Sequence, residues 1–415
     1  MALYFILYNN ITHYYNKTTY KLKKFYIVHY LSNYNCSIII SLKKLYYKKK
    51  QNTIILHNLI ERIDIMNSTK KFSNYSANPN NPNWENIISR TKPLYQRETD
   101  LRDIFERDYT RIIHSTAYRR LKHKTQVFFS PDNDHICTRI EHVTHVDSIS
   151  HTIAQYLGLN TNLTHAIAVA HDLGHSPFGH AGEKILSSIS MRDLGISFWH
   201  EKNGLDFVDY IELLEDSESY KQNLNLTYGV RDGIISHCGE IDENSVRPRN
   251  DFIDLKDYTK LNQFAPYTWE GCVVKISDKI SYVCRDIEDS VTLGILDNCS
   301  NELHKLLNLN NFENINNTNV INELVYDLCT NSSFEKGLCF SDKYLNLLNE
   351  LKAFNYKNIY FCDRIQPSIR YFEVVLNEIY NILKSYYSND LQTSLNKLCH
   401  IYPKLGNSFK GFVNL

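Results

Sequence analysis

The chemistry of this chain concentrates in one short run, His171-Asp172-Leu173-Gly174-His175-Ser176-Pro177-Phe178-Gly179-His180-Ala181-Gly182-Glu183. The adjacent His171 and Asp172 offer a neutral nitrogen and a hard oxygen, a donor pair suited to a catalytic divalent cation. Two donors do not complete a coordination shell, so further ligands must come from elsewhere. Upstream, Arg139-Ile140-Glu141-His142 supplies another histidine. Downstream, Val274 to Asp289 carries acids in an otherwise apolar stretch, where an unpaired carboxylate is costly to bury. Asp278 is the first of these acids, and on spacing alone Asp286 and Asp289 compete with it.

These side chains need rigid carriers. The apolar run Leu163 to Ala170 predicts a buried helix that delivers His171-Asp172 at its end, where Gly174 and Pro177 break it. A new helix can begin after Gly179, with His180 and Glu183 three apart on one face. Arg139 to Leu157 has helical periodicity and stops at Gly158. Further helical stretches are expected over 98–120, 162–173, 179–188, 200–214, 229–237, 269–289, 344–354, 367–386 and 391–400. Residues 241–266 are expected to form a polar loop, and Asn308 to Asn319 an Asn-rich surface loop. Helices predominate almost throughout, so the expected fold class is all-α.

The chain resembles the HD-domain metal phosphohydrolases, and within them the deoxyguanosine-triphosphate triphosphohydrolase-like branch. Four stretches carry the resemblance in order: Ser115 to Phe128, Arg139 to His142, His171 to Glu183, and Asp278 to Asp289. It extends well over roughly residues 84 to 290 and loosely beyond. It implies an HD-domain helical bundle with a helical C-terminal extension. It also implies a lead over 66–97, a phosphohydrolase core over 98–300 and a helical region over 301–415. Thr144 and His145, Ser176 and Arg285 depart from common family residues. None removes a ligand, but Arg285 stands where a histidine often precedes the acid matching Asp286.

Residue by residue, the resemblance implies a metal set of His142, His171, Asp172 and Asp278, holding magnesium, manganese or another transition-metal ion. It implies that the enzyme cuts between the α-phosphorus and the 5′ oxygen of a deoxynucleoside triphosphate, releasing triphosphate. His180 matches the catalytic histidine, oriented by Glu183 to act as general acid on the leaving oxygen. His175 matches a phosphate-facing position. Arg139 and Lys279 match phosphate contacts, Tyr282 a sugar contact, and Asp286 and Gln126 partners of the sugar 3′ hydroxyl. His237 sits on a helix whose facing the sequence does not fix, so a structural role and a substrate role both stay open. The default substrate is dGTP, with an activating nucleotide, homo-oligomerisation and a cytoplasmic location as further expectations. The alternatives are an HD phosphohydrolase for another nucleotide, or a nucleotide sensor or binder of single-stranded nucleic acid.

Composition is consistent with this reading. Across 415 residues, 46 basic side chains balance 46 acidic ones, which does not indicate a nucleic-acid or membrane partner. The balance hides an asymmetry: residues 1–65 hold ten Lys/Arg against two Asp/Glu, leaving 36 against 44 in the remainder. An acidic enzyme for polyanions must concentrate positive charge locally. The ten cysteines show no CxxC pairing and are expected to be reduced thiols. Residues 1–65 contain no Gly or Pro and ten of the 30 Tyr, a bias typical of translated AT-rich DNA. Met66 is therefore the expected functional start, and a basic arm or a targeting segment is the alternative.

Overall fold

The computed structural model describes residues 70–405, apart from 96–97, 130–132, 216–220, 239–243, 297–301, 304, 306–316 and 388–389. The expectations about residues 1–65 and Met66, and most of the Asn308 to Asn319 loop, lie outside the described residues.

The described chain is helical, as its sequence predicts. The first helices are α1 (Trp84–Ile88), α2 (Ile104–His114) and α3 (Thr116–Arg120), followed by α4 (Arg139–Leu157), α5 (Thr161–Ala170) and α6 (Gly179–Leu194). Then come α7 (His200–Asp206), which runs into a π-helical turn at Phe207–Ile211, α8 (Tyr228–Ser236) and α9 (Trp269–Thr292). The last are α10 (Asn317–Asn331), α11 (Asp342–Asn355), α12 (Gln366–Tyr386) and α13 (Leu391–Ile401). Among the described residues the one sheet is a two-residue antiparallel pair, β1 (Leu214–Glu215) with β2 (Lys221–Gln222). No helix among these residues is long and apolar enough to cross a membrane.

Local chemistry sets the helix ends that matter for function. Thr138 caps α4 and Glu141 reaches back to the Thr138 backbone, a capping box worth about 1 kcal/mol. This fixes Arg139 in the first turn and His142 one turn later, on the same face. Gly158 closes the helix at φ 83°, in the left-handed region. Asn160 then caps α5 by accepting from the backbone N–H groups of Asn162 and Leu163.

Some boundaries depart from expectation. The stretch 98–120 is two helices rather than one. Ser115 takes extended backbone angles, ends α2, and its hydroxyl accepts from Tyr118 N–H to start α3. A serine at such a point offers the backbone an alternative to helix. Helix α6 runs past Ser188 to Leu194, because the next left-handed glycine is Gly195, at φ 71°. The stretch 200–214 ends its helical part at Ile211, and Leu214 enters the strand pair.

Helix α4 packs against α5 and α9, α8 against α5, α7 and α9, and α10 and α11 against α9. Two apolar clusters result. One gathers Phe105, Ile112, Val143, Val146, Ile167, Ile234 and Val274. The other gathers Ile149, Ile153, Ile276, Ile280, Val283, Leu324 and Leu351. Helices α4 and α9 contribute to both, and they also carry His142 and Asp278.

Candidate metal centre

Three helices bring the expected ligands together. His142 is on α4, His171 and Asp172 follow α5, and Asp278 is on α9. His142 Nε2 lies 3.0 Å from Asp278 Oδ1 and 4.0 Å from Asp172 Oδ2. His171 Nε2 lies 3.8 Å from Asp172 Oδ2. Ligand atoms of His142, His171 and Asp278 fall within 4.8 Å of one another, as do those of His171, Asp172 and His237.

The donors fit a divalent cation. His171 Nδ1–H donates to the Ala168 carbonyl at 2.6 Å, which fixes the tautomer and leaves Nε2 with its lone pair. That Nε2 is buried and has no hydrogen-bond partner among the described residues. An orphaned buried imidazole nitrogen beside two carboxylates is costly unless a cation takes it. Burial opposes charge on Asp278, but the His142 hydrogen bond outweighs it and holds the carboxyl below its ordinary range. Asp172 is also held low, with the Arg139 guanidinium the largest attraction against burial. Both acids are therefore ready-made anionic ligands.

Arg139 lies one turn before His142, as expected, and its Nη1 donates to Asp172 Oδ2 at 2.8 Å. Its Nη2 donates to the Gln126 backbone carbonyl at 3.1 Å. Gln126 is buried, and its Oε1 has no hydrogen-bond partner among the described residues.

The second half of the run folds over this centre. Gly174 makes it possible: a Cβ there would lie 2.1 Å from the Gly204 nitrogen and 2.2 Å from the His200 carbonyl oxygen. No side chain fits, so the His171–His175 turn sits directly on α7. Gly182 is equally constrained, because its Cβ would lie 1.7 Å from the Pro177 carbonyl oxygen. Lys124 Nζ donates to the His175 carbonyl at 2.5 Å and Asn203 Nδ2 to the Gly174 carbonyl at 2.7 Å.

His175 and His200 rings then come within 4.7 Å, and His175 and His180 within 5.2 Å. His175 is buried, and both its ring nitrogens lack a hydrogen-bond partner among the described residues. Burial, reinforced by Arg139, pushes its pKa well down, so it is neutral. Glu183 Oε2 lies 3.4 Å from His180 Nδ1 and 3.1 Å from His200 Nδ1. Burial raises the Glu183 pKa, but those two histidines overcome it and keep the carboxyl well below its usual range. The His180 ring is exposed, at 70% of its side-chain surface, and Glu183 holds it from below.

Tyr282 and Asp286 follow Asp278 at one-turn intervals on α9. Asp286 is buried and accepts from the Tyr360 hydroxyl, while its Oδ1 has no hydrogen-bond partner among the described residues. Burial lifts its pKa to about 7. Arg285 points instead to Glu288 and Asp289, at 3.4 and 3.5 Å. Lys279, next to Asp278 on α9, lines a crevice with Ile276, Val246, Leu338 and Phe340.

Five nearby residues carry weight, and of these the sequence singles out only His237, without fixing its role. His237 turns out to be buried, with its ring 5.0 Å from that of His171. His200, Glu201 and Cys238 join it in one cluster. Tyr360 comes from the turn after α11. The local signal was two polar doublets, His200-Glu201 and His237-Cys238, bordering helical stretches. Their meeting depends on α7 packing against α8, which no local pattern encodes.

The HD domain family matches residues 139–282, from the first turn of α4 to Tyr282. The chain is also similar to curated proteins named deoxyguanosinetriphosphate triphosphohydrolase-like protein. The relative from Desulfatibacillum aliphaticivorans is 34% identical, covering 70% of this chain and 75% of its own. The Clostridium tetani relative is 34% identical, covering 78% of this chain and 84% of its own. The Caldanaerobacter subterraneus relative is 35% identical, covering 66% and 69%.

Proposed function

Because the chain belongs to the deoxyguanosinetriphosphate triphosphohydrolase-like proteins and carries their HD domain, we propose that it hydrolyses a deoxynucleoside triphosphate, dGTP by default, to deoxynucleoside and inorganic triphosphate. The observation that supports this most is the meeting of His142, His171, Asp172 and Asp278 beside Arg139, with His180 and Glu183 on the next helix. Those four residues would hold a divalent cation, which when bound polarises a phosphate oxygen and acidifies a water.

The chain's own residues do the rest. A triphosphate carries about four negative charges, so a buried guanidinium at the centre is a natural partner. Arg139 is placed to swing from Asp172 to the α-phosphate. His175, neutral and with free ring nitrogens, faces the same region and donates one hydrogen bond to phosphate. The water oxygen bonds to the α-phosphorus as the bond to the 5′ oxygen breaks. His180 delivers the proton that the 5′ oxygen needs, and Glu183 holds the ring in place. Gln126, Tyr282 and Asp286 read the sugar. The unpartnered Asp286 Oδ1 accepts from its 3′ hydroxyl, and Gln126 lies near the same hydroxyl. The protein works as a cytoplasmic homo-oligomer open to activation by a second nucleotide, which sizing with and without dNTP would test.

The test is a panel of purified protein with each dNTP and NTP plus manganese, with product identity read for each. Triphosphate from deoxynucleotides, with ribonucleotides poor, is the expected result. Stepwise release of phosphate or pyrophosphate would overturn the reaction class. Equal rates on GTP and dGTP would remove the sugar-reading roles.

A further inference from the structure

Next to the HD ligands lies a second cluster that the proposed reaction does not use as such. His200 is the first residue of α7, Glu201 follows it, and His237 and Cys238 follow α8. One ligand atom from each lies within 4.8 Å of all the others. Glu201 is fully buried, and neither carboxylate oxygen has a hydrogen-bond partner among the described residues. The His200 ring lies beside it, with Nδ1 at 3.4 Å from Oε2.

We propose that His200, Glu201, His237 and Cys238 form a second cation site, of the zinc type, beside the HD centre. A thiolate, two imidazoles and a carboxylate are the donors that zinc takes in tetrahedral protein sites. Both histidines are already prepared for it. His237 Nδ1–H donates to the Ile234 carbonyl at 2.7 Å, and His200 Nδ1–H donates to Glu183 Oε2 at 3.1 Å. Each therefore keeps Nε2 as its metal-facing nitrogen, with the second ring nitrogen tied to an oxygen as metal-bound histidines have it. The burial of Glu201 supplies the energetic reason, since an enclosed carboxylate without hydrogen bonds needs a cation.

Four protein ligands leave no open position, so the site is structural rather than reactive. It ties the start of α7 to the end of α8. Through His200 it also fixes Glu183, and through Glu183 the His180 ring. The inference does not depend on which nucleotide the enzyme takes.

Cobalt substitution separates the two centres, because the HD ligands contain no sulfur. Full-length protein loaded with cobalt(II) should bind about two equivalents and show thiolate-to-cobalt charge-transfer absorption. Cys238→Ala should lose that absorption and about one equivalent. Cys238→Ser, closer in size, serves if the alanine variant does not fold, with the same loss of absorption. Glu201→Gln should weaken cobalt binding at the sulfur site. His142→Ala should lose the other equivalent and keep the absorption. One equivalent in wild type, no thiolate absorption, or absorption unchanged in Cys238→Ala would overturn the proposal. Those outcomes leave the hydrolytic reading standing, because that reading is judged by its products.

Discussion

Asp286 offers a prediction whose size follows from the structure. The residue is 1% exposed, and burial lifts its pKa from 3.8 to about 7. In the unfolded chain it returns to the ordinary carboxylate value. The folded state therefore holds the proton more tightly, so this group's contribution is fully present below about pH 4. It is lost as pH rises to about 7. The whole shift corresponds to about 4 kcal/mol. About two of its three pH units fall between pH 5 and pH 8, giving a change of about 3 kcal/mol across that range. Asp286→Asn keeps an acceptor for the Tyr360 hydroxyl but cannot titrate. Denaturant unfolding of both proteins at pH 5 and pH 8, with chelator present, measures the difference. Chelator is needed because a nearby cation would itself favour the carboxylate. Relative to the asparagine variant, wild type should be the more stable by about 3 kcal/mol more at pH 5 than at pH 8. A difference that is flat with pH, or that grows toward pH 8, would refute the reasoning.

Asp172→Ala should lose the HD-site cation and turnover together. Metal analysis showing full occupancy in that variant would remove Asp172 from the ligand set. His180→Ala should keep nucleotide binding and lose roughly 10²–10⁴-fold in rate, the range of general acid catalysis; a loss of a few fold would make His180 structural. Gly174→Ala should destabilise the protein by roughly 1–3 kcal/mol, because its Cβ meets backbone rather than a side chain that could move. A melting temperature equal to wild type would show that the turn and α7 can separate.

Local signals point to the donor segments, while the choice of His142 and Asp278 as ligands beside His171-Asp172 rests on the family resemblance. His171-Asp172 ends an apolar helix and precedes a Gly/Pro break, and Arg139 with His142 follows a capping threonine. Asp278, Tyr282 and Asp286 recur at the helical period, which by itself does not separate Asp278 from Asp286 and Asp289 as the ligand. The helical class was legible in the same periodicity. The split at Ser115 was not, because an amphipathic pattern continues across it while one serine redirects the backbone. Lys279 matches a phosphate contact only by resemblance, and the structure places it on α9 next to Asp278, lining a crevice with Leu338 and Phe340. The sequence points to His237 but not to the cluster it forms with His200, Glu201 and Cys238, because residues 36 or more positions apart meet through helix packing, and burial of Glu201 is a tertiary fact.

The central claim is attack of water on the α-phosphorus with cleavage of the bond to the 5′ oxygen. Turnover of dGTP in ¹⁸O-water, with both products analysed by mass, tests it most directly. The account predicts one ¹⁸O in inorganic triphosphate and none in deoxyguanosine. Label in the nucleoside 5′ hydroxyl, or release of labelled orthophosphate or pyrophosphate in place of triphosphate, would contradict it.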